Sequence, residues 1–175
     1  WVVLIGINGY PSDPLDSCME DALAMEEYFV NDLTVPKERI QCLLGQKNVD
    51  RSVEASSIPS RRNILSIFPS LMTNDKIRND DPIIIFFAGH GLRYLVSYED
   101  DDNDSDYKGV HNCEYPLEFM EALCPIDRGI LDSNNNPIPD ISDWEFNTIL
   151  SVLSCAKGHR ITVLLDCCHA GSITR

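Results

Sequence analysis

Apolar residues in this chain gather into short runs separated by polar or helix-periodic stretches. Val2–Ile7 is the first run; it is closed by Gly6-Ile7-Asn8-Gly9-Tyr10-Pro11 and predicts a strand followed by a loop. Ser17-Cys18-Met19-Glu20 has the spacing of a capping box, and Ala22, Met25, Tyr28 and Phe29 continue it as an amphipathic helix. Ile40–Leu44 predicts a second short strand closed by Gly45, and the polar stretch Gln46–Pro59 reads as loop. A helix from about Ser60 to Leu71 follows, with Pro69 expected to kink it or end it early.

Asp80-Asp81-Pro82 leads into a third strand, Ile83–Phe87. From Arg93 to about Pro116 no periodicity is visible, and a loop that long in a compact domain is usually functional or disordered. Glu121–Ile126 reads as a short strand and Asn134-Asn135-Asn136-Pro137 as a turn. Ser142-Asp143-Trp144-Glu145 is a second capping box; it opens a helix with Phe146, Ile149, Leu150 and Leu153 on one face, ended near Gly158. Ile161–Leu165 is the last strand, apolar enough to be buried on both faces. Strands alternating with helices predict an α/β three-layer sandwich, a mostly parallel sheet with helices on both faces. With no internal repeat and no boundary, residues 1–175 read as one domain.

The chemistry lies at two strand ends. Ile83–Phe87 runs into Ala88-Gly89-His90-Gly91, and Ile161–Leu165 into Asp166-Cys167-Cys168-His169-Ala170-Gly171. Open α/β sheets hold their ligands just beyond the carboxyl ends of the strands. If these strands are neighbours, His90 and the cysteine pair face one crevice, which is the arrangement of a cysteine nucleophile and its base. Cys168 is the better nucleophile, because Asp166 would complete the strand and Cys168 begin the turn, while Cys167 points to the core. The N–H groups of Gly91 and Cys168 are the candidate oxyanion donors. Blander readings are a satisfied turn histidine and a core cysteine pair. His169 is too close in sequence to Cys168 to converge on it easily, and a metal cluster of Cys167, Cys168, His169 and His90 would have diverging ligands.

A formal charge of −14 argues against nucleic acid or an anionic membrane as partner. Much of the excess sits in the block Glu99–Asp106, read as a solvated loop or, alternatively, a cation site. No apolar run approaches the roughly 18 to 20 residues of a membrane span, and no signal peptide is visible. Opening on Trp1-Val2-Val3 without Met suggests a piece of a longer protein. The seven cysteines form no CxxC pair, which disfavours structural zinc and suggests free thiols in a reducing compartment, cytoplasmic or nuclear. Cys18, Cys42, Cys113, Cys124 and Cys155 read as buried small hydrophobes or inert thiols.

The segments Ile83–Gly91 and Thr162–Gly171 together resemble the caspase/metacaspase superfamily of cysteine peptidases, most closely the metacaspases of plants, fungi and protists. The resemblance covers the whole chain as the large-subunit portion of a caspase-like domain, the small-subunit region being expected beyond it. It implies His90 and Cys168 as catalytic dyad. It also implies a pocket for a basic residue before the scissile bond, lined by Asp166 and by Asp21 in Cys18-Met19-Glu20-Asp21. Two carboxylates would hold Arg or Lys by charge-assisted hydrogen bonds and repel an acidic side chain. The implied activity is that of an endopeptidase that cleaves after Arg or Lys and processes itself, with basic peptides and its own small-subunit region as partners.

Departures from the pattern bear on these expectations. Gln-Ala-Cys-x-Gly is absent, against aspartate specificity, and the interval from His90 to Cys168 exceeds the ~50 residues of caspases. Position 88 is Ala where many metacaspases carry Ser. No cofactor is required for the chemistry. Calcium activation would use Asp140 and Asp143 and a carboxylate beyond the nucleophile, and Ser172–Arg175 offers none. Arg175 fits either a processing cut or an arbitrary end. The rival reading is a non-catalytic caspase-like scaffold, which would have no chemical reason to keep both His90 and Cys168.

Overall fold

The computed structural model describes residues 1–46, 55–96 and 118–169. The acidic block 99–106, Cys113, Ala170-Gly171 and Arg175 lie outside the described residues. In chain order the elements are β1 (Val2–Ile7), α1 (Cys18–Asn31), β2 (Ile40–Gly45), α2 (Arg61–Thr73), β3 (Ile83–Ala88) and β4 (Gly91–Val96). They continue with β5 (Glu118–Leu123), β6 (Ile141–Ser142), α3 (Asp143–Lys157) and β7 (Ile161–Asp166). A parallel four-stranded sheet has the order β2-β1-β3-β7, and a small antiparallel sheet the order β4-β5-β6. This is the mostly parallel caspase-like α/β sandwich expected.

Period-2 alternation assigns the two faces. Val3, Ile5 and Ile7 of β1 and Ile83, Ile85 and Phe87 of β3 pack with Ile64, Ile67 and Phe68 of α2 and Phe146 and Leu153 of α3. Val2, Leu4, Phe86 and Ala88 point the other way, against Ala22 and Phe29 of α1. On β7 the residues Ile161, Val163 and Leu165 join the α2/α3 core, while Thr162, Leu164 and Asp166 are exposed on the α1 side. The run Ile161–Leu165 is therefore buried on one face only. Among the described residues β7 is an edge strand, and α1 does not reach across it.

Local signals that depend on distant residues came out differently. Ser17 makes no side-chain cap; Asn8, from the loop after β1, accepts the Met19 N–H (3.1 Å) and donates to Glu20 (3.0 Å). Ser142 does cap α3, its Oγ accepting the Glu145 N–H at 3.1 Å, and Gly158 ends that helix at φ +94°. Pro69 does not stop α2, which runs to Thr73. Phe68 and Leu71 flank it in the core, each burial contributing about 2 kcal/mol, enough to offset the ~3 kcal/mol cost of the exposed proline.

The unpatterned stretch after Arg93 begins inside β4. That strand shows no alternation because Arg93, Tyr94 and Leu95 are all exposed. It is held instead by pairing along β5, by Arg93 lying 3.9 Å over the Phe119 ring and by a Tyr94–Asp140 hydrogen bond. The strand expected at Glu121–Ile126 starts earlier, at Glu118, and ends at Leu123. Among the described residues, no helix is long and apolar enough to cross a membrane.

Candidate active site

β3 and β7 are adjacent and parallel, with Ala88 opposite Asp166. His90 and Cys168 each lie two residues past that pair, so equal steps beyond matched strand ends bring both to the same rim. The Gly89 N–H donates to the Asp166 carbonyl at 3.3 Å, continuing the ladder past the strands. At the next residue the two backbones touch. A Cβ on Gly91 would sit 2.0 Å from the Cys168 carbonyl oxygen and 3.2 Å from the Cys167 Sγ. No residue with a side chain fits there, which explains the glycine after the histidine.

The His90 ring is half-buried, and its Nε2 lies 2.7 Å from the Asp13 carbonyl oxygen. A carbonyl only accepts, so Nε2 carries a proton and Nδ1 is left as the ring nitrogen that can take one up. Asp13 adopts φ +60°; its own carboxylate is exposed, 3.8 Å away. This partner was not legible in the sequence, because a backbone carbonyl carries no residue signature.

The two cysteines divide as expected. Cys168 is exposed, whereas Cys167 is half-buried against the α2/α3 core. Burial pushes the Cys167 thiol up to about 12, with the nearby Cys168, Asp166, Glu121 and Cys18 adding to the effect. It stays protonated at neutral pH. His169 sits in the turn at φ +60°, its side chain exposed.

Asp166 projects from β7 on the face that α1 covers farther along the sheet, and Asp21 lies in the first turn of α1. The Cys18 thiol registers both: burial raises its pKa most, then the Asp166 and Asp21 charges. The helix comes this close because Gly6 has no side chain; a Cβ there would meet the Cys18 carbonyl oxygen at 2.5 Å and the Met19 Cα at 2.9 Å. Both carboxylates thus act on the Cys18 thiol at the start of α1.

Asp140 and Asp143 are otherwise engaged. Asp140 receives two hydrogen bonds from Arg128, at 2.8 and 2.9 Å, and Asp143 accepts the Trp144 N–H at 2.8 Å. Among the described residues, no three His, Cys, Asp or Glu side chains gather as a metal site would require.

Comparison with known proteins identifies the family. A family model described as metacaspase, peptidase C14 domain, matches residues 2–175. Metacaspase-1 of Yarrowia lipolytica is 28% identical over 171 residues, covering 97% of this chain and 31% of that protein. Metacaspase-1 of Scheffersomyces stipitis is 25% identical over 97% of this chain and 35% of its own length. Metacaspase-3 of Trypanosoma cruzi is 26% identical over 98% of this chain and 40% of its own length. The chain therefore spans about a third of the curated relatives it matches. A family match running through β1, both strand ends and all three helices leaves one assignment: this chain belongs to the metacaspase family of the peptidase C14 class.

Proposed function

We propose that this chain carries the catalytic residues of a cysteine endopeptidase that cleaves after Arg or Lys. The observation that carries the reading is the shared rim, where the residue after His90 lies against the Cys168 carbonyl. Cys168 is the nucleophile and His90 the general acid/base. The Cys168 thiolate attacks the scissile carbonyl carbon, and the developing oxyanion is met by the N–H groups of Gly91 and Cys168. The imidazolium gives its proton to the departing amine, leaving a thioester. His90 then takes a proton from water, hydroxide adds to the thioester, and the acid product leaves as the thiol is restored. The Nε2–H bond to Asp13 supports this role by leaving Nδ1 to exchange the proton.

Asp21 and Asp166 form the pocket for the basic side chain. Replacing either with Asn is expected to lower kcat/KM for Arg reporters by roughly ten- to 100-fold, corresponding to the ~1.5–3 kcal/mol of a hydrogen bond to a charged group. Asp166→Asn and Asp21→Asn assayed against paired Arg and norleucine peptides check this, since loss on both substrates alike would place the carboxylates outside the pocket. The partners are basic peptides, its own chain at self-processing sites, and the small-subunit region that completes the cleft. Free thiols at Cys18, Cys42, Cys124, Cys155, Cys167 and Cys168 fit a reducing compartment, cytoplasmic or nuclear.

The direct test is a peptide chloromethyl ketone with Arg in first position, added to the full-length protein and mapped by mass spectrometry. A single adduct on Cys168 with loss of cleavage supports the peptidase. No adduct and no cleavage would favour a non-catalytic binding module.

A further inference from the structure

We propose that Tyr10 is a positioning residue for His90, fixing the imidazole from behind through one buried hydroxyl; this rests on His90 being the acid/base. Tyr10 is fully buried in the loop after β1. Its hydroxyl donates to the Cys124 carbonyl at 2.9 Å and accepts the His90 N–H at 2.9 Å. The Cys124 N–H in turn donates to the His90 carbonyl at 3.0 Å. The peptide groups on both sides of the His90 Cα are thus tied, one by the Tyr10 hydroxyl and one by the Cys124 N–H, and the hydroxyl also bonds the Cys124 carbonyl.

The ring contributes as well. Tyr10 and His90 have centroids 4.5 Å apart at an interplanar angle of 49°, so the phenol backs the imidazole. The hydroxyl needs Gly89, where a Cβ would stand 2.5 Å from it. Burial pushes the phenol well above its ordinary range, so it stays a neutral donor. The same loop carries Asp13, whose carbonyl takes the Nε2–H. One segment after β1 therefore holds His90 by its backbone, its ring face and its ring edge. Misplacing a proton-transfer group by about 1 Å costs on the order of 100-fold in rate.

The test compares Tyr10→Phe with Ile67→Val, a core change in α2, in the full-length protein with rates normalised to titrated active sites. Tyr10→Phe is expected to lower kcat roughly ten- to 100-fold with KM within about twofold, and to shift the pH profile of kcat. Ile67→Val is expected to keep both. 3,5-Difluorotyrosine at position 10 preserves bulk and donor but is a weaker acceptor, and should give an intermediate kcat at unchanged KM. If Tyr10→Phe does not fold, the fluorinated variant decides. A wild-type kcat and pH profile in Tyr10→Phe, or in the fluorinated protein, overturns the proposal. Wild-type turnover in His90→Ala would instead overturn the catalytic assignment, whatever Tyr10 does.

Discussion

Replacing Cys168 by alanine is expected to cut turnover of an Arg reporter by roughly 10⁴-fold or more, as loss of a covalent nucleophile does. Cys167→Ala, one residue away, is expected to stay within a few-fold of the parent. The contrast is electrostatic as well as geometric. Cys168 is exposed at the rim, whereas the Cys167 thiol, pushed up to about 12 by burial, is ionised on the order of one part in 10⁴ at pH 8. Iodoacetamide at pH 8 should therefore alkylate Cys168 and leave Cys167 unmodified, read by peptide mass mapping. Full turnover in Cys168→Ala would sink the peptidase reading, and equal losses in both variants would point to a shared structural role.

Gly91→Ala should be the most damaging change that adds only a methyl group. Its Cβ would fall 2.0 Å from the Cys168 carbonyl oxygen, so the backbones of β4 and the nucleophile turn must separate by more than 1 Å. Overpacking of this kind costs about 1–3 kcal/mol, or a few degrees to about 10 °C in Tm for a domain of this size. The loss of activity should be larger than the loss of stability suggests. The same displacement moves a proposed oxyanion donor and His90 away from Cys168, for an expected fall of roughly 100-fold or more in kcat. Calorimetry together with active-site titration separates the two effects. A Gly91→Ala protein with parental kcat would show that the close approach serves folding alone.

The rim shows how differently its components were encoded. His90 and Cys168 were visible because each follows a short apolar run of strand length, and an interruption by Gly-His-Gly or Cys-Cys-His stands out. Their arrival at one end of the sheet depends on β3 and β7 pairing across more than seventy residues of chain, which no local pattern states. Asp166 acquires its face from strand parity, a two-residue rule. The position of α1, which carries Asp21, depends on Gly6 letting that helix settle onto β1.

Capping draws the same line. Ser142 and Glu145 lie within one helical turn, and the Ser142 hydroxyl takes the Glu145 N–H while the Glu145 carboxylate turns to Arg61; at Ser17 an equally good signature lost to Asn8, brought in by the fold. The strand β4 carries no local pattern because Arg93, Tyr94 and Leu95 are all exposed; it is held by a partner strand and by Phe119 and Asp140.

From its letters alone the chain announced its α/β alternation, the two polar strand ends and the inequality of Cys167 and Cys168, because period-2 burial and turn chemistry act between close neighbours. Folding had to add the Asp13 carbonyl on His90, the Tyr10 hydroxyl behind it and the contact of Gly91 with Cys168. Those three involve backbone atoms meeting across long stretches of sequence, and every residue type carries the same backbone groups.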